Sequence, residues 1–166
     1  MSRKQFDQMN CGIAQALDAI GYWWTLLIVR DAFFGARRYG DFQRSLGIAK
    51  NILSARLAHL VEHGIFERVD VGSEGERFEY RLTAKGEALL TVLTAMREWS
   101  DKWVFGRGNE PLVVRDRRTG RRIAKLKVAD AGGAPLTRRD LLLERGPGAS
   151  PATIRLLTPP SRPDKA

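Results

Sequence analysis

One cysteine, Cys11, and two histidines, His59 and His63, are the whole supply of thiol and imidazole metal ligands in this chain. A lone cysteine excludes a disulfide framework and a Cys-rich zinc site within one chain, and it fits a reducing compartment. Long apolar runs are also missing. The longest, Tyr22–Val29, is too short to cross a bilayer, so no membrane partner is expected. Met1–Asn10 is polar and does not resemble a signal peptide, which points to a cytoplasmic location. There is no P-loop, no Rossmann glycine fingerprint and no serine in a recognisable hydrolase motif. The sequence therefore predicts no cofactor, no metal and no enzyme. One pattern has catalytic associations: His59-Leu-Val-Glu-His63 follows the H-x-x-E-H order of inverted zinc peptidases. Its third ligand would have to be a distant carboxylate, and so short a motif often arises by chance.

What is present is an ordinary globular composition, 43% hydrophobic over 166 residues, enough for one domain with an appendage or for two small domains. The net charge of +9 is unevenly placed. Residues 1–106 hold 14 Lys and Arg against 13 Asp and Glu, whereas residues 107–166 hold 14 against 6. The isoelectric point alone is thus poor evidence for nucleic-acid binding by the first two thirds. The local cluster is more informative. Arg37, Arg38, Arg44, Lys50 and Arg56 are opposed in that stretch only by Asp41.

The chain is organised around residues 39–80. Ile48–Gly64 has Leu53, Leu57 and Leu60 at helical spacing, and Gly64 is a natural stop. Lys50, Asn51, Ser54 and Arg56 lie off that stripe. Tyr39–Leu46 is a shorter amphipathic segment, separated from it by Gly47. Two helices across so tight a turn form a helix-turn-helix, whose second helix can enter the major groove of DNA. Phe66–Val71 and Arg77–Leu82 can pair as strands across a Gly-rich turn. The expected fold class is α+β, mainly α: a winged helix-turn-helix with a recognition helix near 49–63 and a wing near 66–82. A winged module that binds protein instead of DNA is the alternative. It would present an acidic or apolar recognition face, unlike Lys50, Asn51, Ser54 and Arg56.

Two further helices are expected upstream, over Cys11–Ile20 and Trp23–Phe34. Tyr22, Trp23, Trp24, Phe33 and Phe34 can line a pocket for a small-molecule effector, but core packing is the expected use of so many aromatics. Cys11 opens its helix, where thiols are often reactive; a buried, inert cysteine is the other reading.

Several motifs then carry a family likeness, in order: Cys11-Gly-Ile-Ala-Gln-Ala-Leu-Asp-Ala-Ile-Gly21, Trp24-Thr-Leu-Leu-Ile-Val-Arg30, Gly35-Ala-Arg-Arg-Tyr-Gly-Asp-Phe42, Leu53-Ser-Ala-Arg-Leu57, His63-Gly64 and Tyr80-Arg-Leu-Thr-Ala-Lys-Gly86. Together, over residues 10–104, they resemble the HxlR-type winged helix-turn-helix transcriptional regulators. The resemblance implies a bacterial or archaeal homodimeric repressor or activator that binds operator DNA. It also implies that Cys11 matches a cysteine which some members use to sense oxidants or electrophiles. Two positions depart from the family pattern. Trp23 stands where a lysine is usual, and Ala49 stands where a Ser or Thr usually caps the recognition helix.

Ala84–Val104 reads as one long helix whose apolar stripe is too rich for a helix lying on a small winged domain. Leu93, Met96, Trp99 and Trp103 on that helix, with Ile13 and Leu17 on the N-terminal one, are the expected dimer interface; closure of the monomer core is the alternative. The expected domains are 10–105 for DNA binding and dimerisation, a basic extension over 106–149, and a mobile terminus over 150–166. The extension should hold a hairpin, Leu112–Arg115 against Ile123–Val128, that either touches flanking DNA or serves as a soluble accessory. It is similar to a zinc-ribbon-like extension of longer relatives but lacks the cysteines. The expected DNA contacts are Lys50, Asn51 and Ser54 in the groove. Arg37, Arg38, Arg44 and Arg56 are expected at phosphates, and Arg77 at the wing.

Overall fold

The computed structural model describes residues 6, 8–72 and 77–157. They fall into two compact units. One comprises Tyr22–Lys127, and the other joins the described parts of Met1–Gly21 and Val128–Ala166.

The first unit begins with α2 (Thr25–Phe33), α3 (Tyr39–Leu46) and α4 (Lys50–Glu62); the preceding helix, α1 (Gly12–Ile20), belongs to the second unit. The leucine stripe seen in the sequence is the buried face of α4: Leu53, Leu57 and Leu60 are fully enclosed. Ile28, Val29 and Ala32 of α2 are buried as well, together with Phe42, Ile48, Ile65 and Phe66. Gly47 ends α3 in a left-handed conformation, φ 60°, and Gly64 follows α4 at φ 63°. Residues with a Cβ adopt that conformation at a cost, so these glycines set the sharp turns on either side of α4.

Ala49 occupies the N-cap of α4 with extended backbone, φ −62° and ψ 140°, and supplies no side-chain acceptor. An oxygen there would bond an otherwise unpaired helix N–H. Ala49→Ser should therefore raise the unfolding free energy by about 1 kcal/mol. Urea titration followed by tryptophan fluorescence checks it; an unchanged midpoint would mean those N–H groups are already satisfied.

The wing is an antiparallel pair, β1 (Phe66–Asp70) and β2 (Phe78–Leu82), with Phe66 opposite Leu82 and Arg68 opposite Tyr80. Of the turn expected over Gly72–Glu76, residues 73–76 lie outside the described residues. The rings of Phe42, Phe66 and Tyr80 form a triangle with centroids 6.1–6.4 Å apart. They lock α3 to both strands. Tyr80 N–H also donates to the Arg37 carbonyl at 2.8 Å, tying β2 to the chain entering α3. Thr83 then joins three elements. Its Oγ1 donates to the Gly64 carbonyl at 2.6 Å and accepts from Gly86 N–H at 3.2 Å, capping α5 (Ala84–Glu87).

The long helix expected over Ala84–Val104 is divided into α5, α6 (Leu89–Ser100) and a wider π-type turn over Asp101–Phe105. No residue of α6 is buried. The basic extension starts within this unit. Arg115 and Arg122 pair in a single antiparallel bridge around the turn, a minimal form of the expected hairpin. Leu126 N–H donates to Glu98 Oε2 at 3.0 Å, anchoring the segment on α6.

The second unit holds α1 and, from Val128, the remainder of the extension. Residues 151–157, expected within a mobile terminus, instead form a helix, α7 (Pro151–Leu157). Asn10 holds its start: Asn10 Oδ1 accepts from Ser150 N–H at 2.9 Å and from Thr153 Oγ1 at 2.7 Å. Composition alone does not reveal such partners, because they lie about 140 residues apart in the chain. Residues 158–166 lie outside the described residues.

Two aromatics expected in the core are on the surface. Trp23 is 91% exposed and Phe34 is 67% exposed. Both flank α2, which spans only Thr25–Phe33, so they fall outside the turns that pack against the core.

Candidate nucleic-acid interface

The N-terminal end of α4 leaves Lys50, Asn51 and Ser54 exposed, while Leu53 and Leu57 are buried. Tyr39, which the sequence reading passed over, braces this turn. Its hydroxyl donates to the Lys50 carbonyl at 2.8 Å and accepts from Ser54 Oγ at 3.3 Å. The spacing of eleven residues across Gly47 gives no periodic signal for such a contact. Ser54 is thus already bonded on one side, while its exposed oxygen keeps acceptor capacity.

The arginines divide into two groups. Arg38 and Arg44 are exposed beside α3, loosely paired with Glu79 at 3.8 Å and Asp41 at 3.7 Å. Exposed pairs of that kind hold their partners weakly and exchange readily for a phosphate. Arg37 is turned inward: its Nη1 donates to the Ala32 carbonyl at 2.7 Å and the Ala36 carbonyl at 3.0 Å. It satisfies carbonyls at the end of α2, and the expected phosphate contact is not the use this geometry gives it. Arg56 is half-buried and stacks its guanidinium 3.7 Å from the centre of the Tyr22 ring, with Nη1 enclosed. It too is committed to the interior. Arg77 is exposed at the start of the returning wing strand.

In the sequence Asp41 is a lone opposing charge. In the structure it organises the entrance to α3. Its Oδ2 accepts from Arg38 N–H at 3.0 Å and Arg37 N–H at 3.4 Å. The Arg38 backbone bond, outweighing some desolvation and aided by Arg37 N–H, Arg44 and Arg38, holds its carboxyl below the usual aspartate range. Asp41 is the anionic member of a capping arrangement, and its position three residues past the N-cap, Arg38, is the sequence signal for it.

At the C-terminal end of α4, His59, Glu62 and the C-cap residue His63 lie together. Cys11 is exposed at the N-cap of α1. Ile13 and Leu17 of that helix are exposed, as are Met96, Trp99 and Trp103 on α6 and the turn after it; Leu93 is half-buried. Among the described residues, no single helix is long and apolar enough to cross a membrane.

A short helix, a left-handed glycine turn, an exposed polar helix face and an adjoining two-stranded wing define the winged helix-turn-helix class of DNA-binding transcriptional regulators, which is not an enzyme class. Within it, the chain belongs to the HxlR-like helix-turn-helix family, whose model matches residues 19–107. It is 39% identical over 136 residues to the uncharacterised HTH-type transcriptional regulator Rv3095 of Mycobacterium tuberculosis, covering 82% of this chain and 86% of that one. Among solved structures it is similar to PA1607, a candidate transcription factor. The identity is 43% and the TM-score 0.79, covering 86% of this chain and all of the other. PA1374 of Pseudomonas aeruginosa, also a candidate transcription factor, is 36% identical with a TM-score of 0.63, covering 89% of this chain and all of the other. These similarities exceed the span of the family match and run into the segment after residue 107.

Proposed function

We propose that the protein is a homodimeric, sequence-specific regulator that places the first turn of α4 in the major groove of operator DNA. The observation that carries this reading is the exposed trio Lys50, Asn51 and Ser54, held in place by Tyr39. Asn can pair with both polar atoms of adenine's groove edge, and Lys with guanine or phosphate. Arg38 and Arg44 serve the flanking phosphates, and Arg77 reaches the backbone or minor groove from the wing. Arg37 and Arg56 are left out because their guanidinium groups are engaged within the fold. The test is a gel-shift titration with DNA from upstream of the protein's own coding sequence, at two salt concentrations, against a scrambled fragment. Preference for the upstream fragment at both salts supports the reading. Equal binding to both fragments would replace it with non-specific attraction to the basic extension.

Self-association is supported by α6. A helix with no buried residue that exposes Met96 and Trp99 leaves apolar surface uncovered, a common mark of an interface. A two-fold pair would present two recognition helices about 34 Å apart, one turn of DNA. Met96→Glu combined with Trp99→Glu should convert the dimer to a folded monomer in sedimentation experiments and weaken operator binding at least about tenfold. A dimer that persists would place the interface elsewhere.

Cys11, exposed at a helix start, is the proposed sensor of oxidants or electrophiles. Peroxide or a quinone should release DNA from the native protein and not from Cys11→Ser. Equal release from both would remove Cys11 as the sensor.

A further inference from the structure

The last turn of α4 and its C-cap, His63, carry both histidines of the chain. Four residues apart on a helix, His59 and His63 share one face, and their ring centroids are 4.0 Å apart. Glu62 lies beside them. One donor atom from each of the three residues falls within 4.8 Å of the other two. The proposed groove contacts, at the opposite end of the helix, use none of them.

The surroundings hold this turn firmly. His63 Nδ1 lies 3.1 Å from the His59 carbonyl oxygen. With Nδ1–H donating there, the lone pair is on Nε2, the way metal-ligating imidazoles are usually oriented. Lys85 Nζ donates to the His63 carbonyl at 2.7 Å, and Thr83 fixes the carbonyl of Gly64. Tyr22 packs edge-on against His59 at 4.9 Å. An imidazole has two ring nitrogens, so a hydrogen bond at one leaves the other able to coordinate. Both histidines are half-buried and Glu62 is exposed, so the turn has one packed wall and one side open to water.

We propose that His59, Glu62 and His63 bind a divalent late first-row transition ion, with Zn²⁺ as the reference case, water completing the coordination. Two imidazole nitrogens and one carboxylate oxygen suit Zn²⁺, Co²⁺, Ni²⁺ or Cu²⁺, whereas Mg²⁺ and Ca²⁺ favour all-oxygen sites. Tetrahedral zinc places its ligand atoms about 3.3 Å apart, so the donors close on the ion by rotation of side chains already on one face. The ion bridges successive turns and so clamps the end of the recognition helix. Binding to the folded chain alone also raises its unfolding temperature.

The composition provides a clean readout, because every imidazole signal of the native chain comes from this site. The tag-free, full-length protein is titrated with Zn²⁺ while imidazole resonances are followed by NMR. A chromophoric chelator gives the affinity in parallel. Both rings should shift together and saturate at one Zn²⁺ per chain. His63→Asn should weaken binding at least about tenfold, since even orienting residues around metal ligands contribute that much. Glu62→Gln, on an exposed side chain that the fold does not need, should weaken it measurably. Cys11→Ser should leave it unchanged. The proposal is overturned if one equivalent of Zn²⁺ leaves either ring unmoved. It is equally overturned if Glu62→Gln and His63→Asn both retain native affinity, or if Mg²⁺ produces the same shifts.

Discussion

Replacing Lys50 and Asn51 together with alanine is expected to lower affinity for a cognate operator by about a hundredfold or more, with no loss of thermal stability. Each good pairing of a side chain with a base edge contributes about 1–3 kcal/mol of discrimination, and these two residues occupy adjacent positions on the first turn of α4. Both are exposed, and the face that holds the helix in place is Leu53, Leu57 and Leu60. The substitutions therefore remove contacts to DNA without disturbing the core. The variant should also lose preference for its operator over scrambled DNA, because phosphate contacts from Arg38, Arg44 and Arg77 remain and are indifferent to sequence. Competition gel shifts at fixed salt measure both quantities. Retained preference would move the base-reading surface to another part of the molecule, with the wing as the first place to look.

A second large effect is expected from Phe42→Ala. Phe42 is fully enclosed, and its ring lies within 6.1 Å of Phe66 and 6.4 Å of Tyr80, centre to centre. Removing a buried phenyl ring from such a site costs about 3–5 kcal/mol, part from lost burial and part from the cavity left behind. Domains of this size are stable by roughly 5–15 kcal/mol in total, so a large share of the margin would disappear. Because the ring sits where α3 meets both strands, the helix-turn-helix and the wing should lose their fixed relation together. DNA binding would then fail through loss of structure, in contrast to the Lys50 and Asn51 variant. Urea unfolding separates the two cases, and a loss below about 1 kcal/mol would mean the surrounding rings can close the gap.

These two predictions depend on different kinds of legibility. Helical periodicity alone located α3 and α4, and alternation with a glycine-rich turn located the wing. Both are local signals, and apolar residues recurring every three or four positions leave few alternatives once Gly47 and Gly64 bound the segment. The buried stripe of α4 follows from the same pattern. So does the exposure of Asn51, which lies off the stripe; Lys50 falls in line with Leu53 and Leu57 and is exposed as the first residue of the helix.

The arginines were not legible in this way. Arg37 and Arg38 are neighbours with the same side chain, and local charge assigns both to phosphate. Only the end of α2, with the Ala32 and Ala36 carbonyls within reach, turns one inward while the other stays exposed. Arg56 lies off the leucine stripe and reads as a surface cation until Tyr22, far back in the chain, is placed beneath it. Trp23 illustrates the converse: its size suggests the core, but the later start of α2 leaves it in solvent.

The sequence by itself determined the order of elements, the inner face of the recognition helix, the family, and the absence of any disulfide framework. Those properties depend on neighbours a few residues away and on composition, which the chain carries however it folds. Tertiary structure decided which cations are free, why Tyr39 matters, how Asn10 holds α7, and that no residue of α6 is buried. Each of these depends on groups distant in sequence. A long, flexible guanidinium or a tyrosine hydroxyl has several partners of similar energy within reach, and only the packing of the core determines which one it meets.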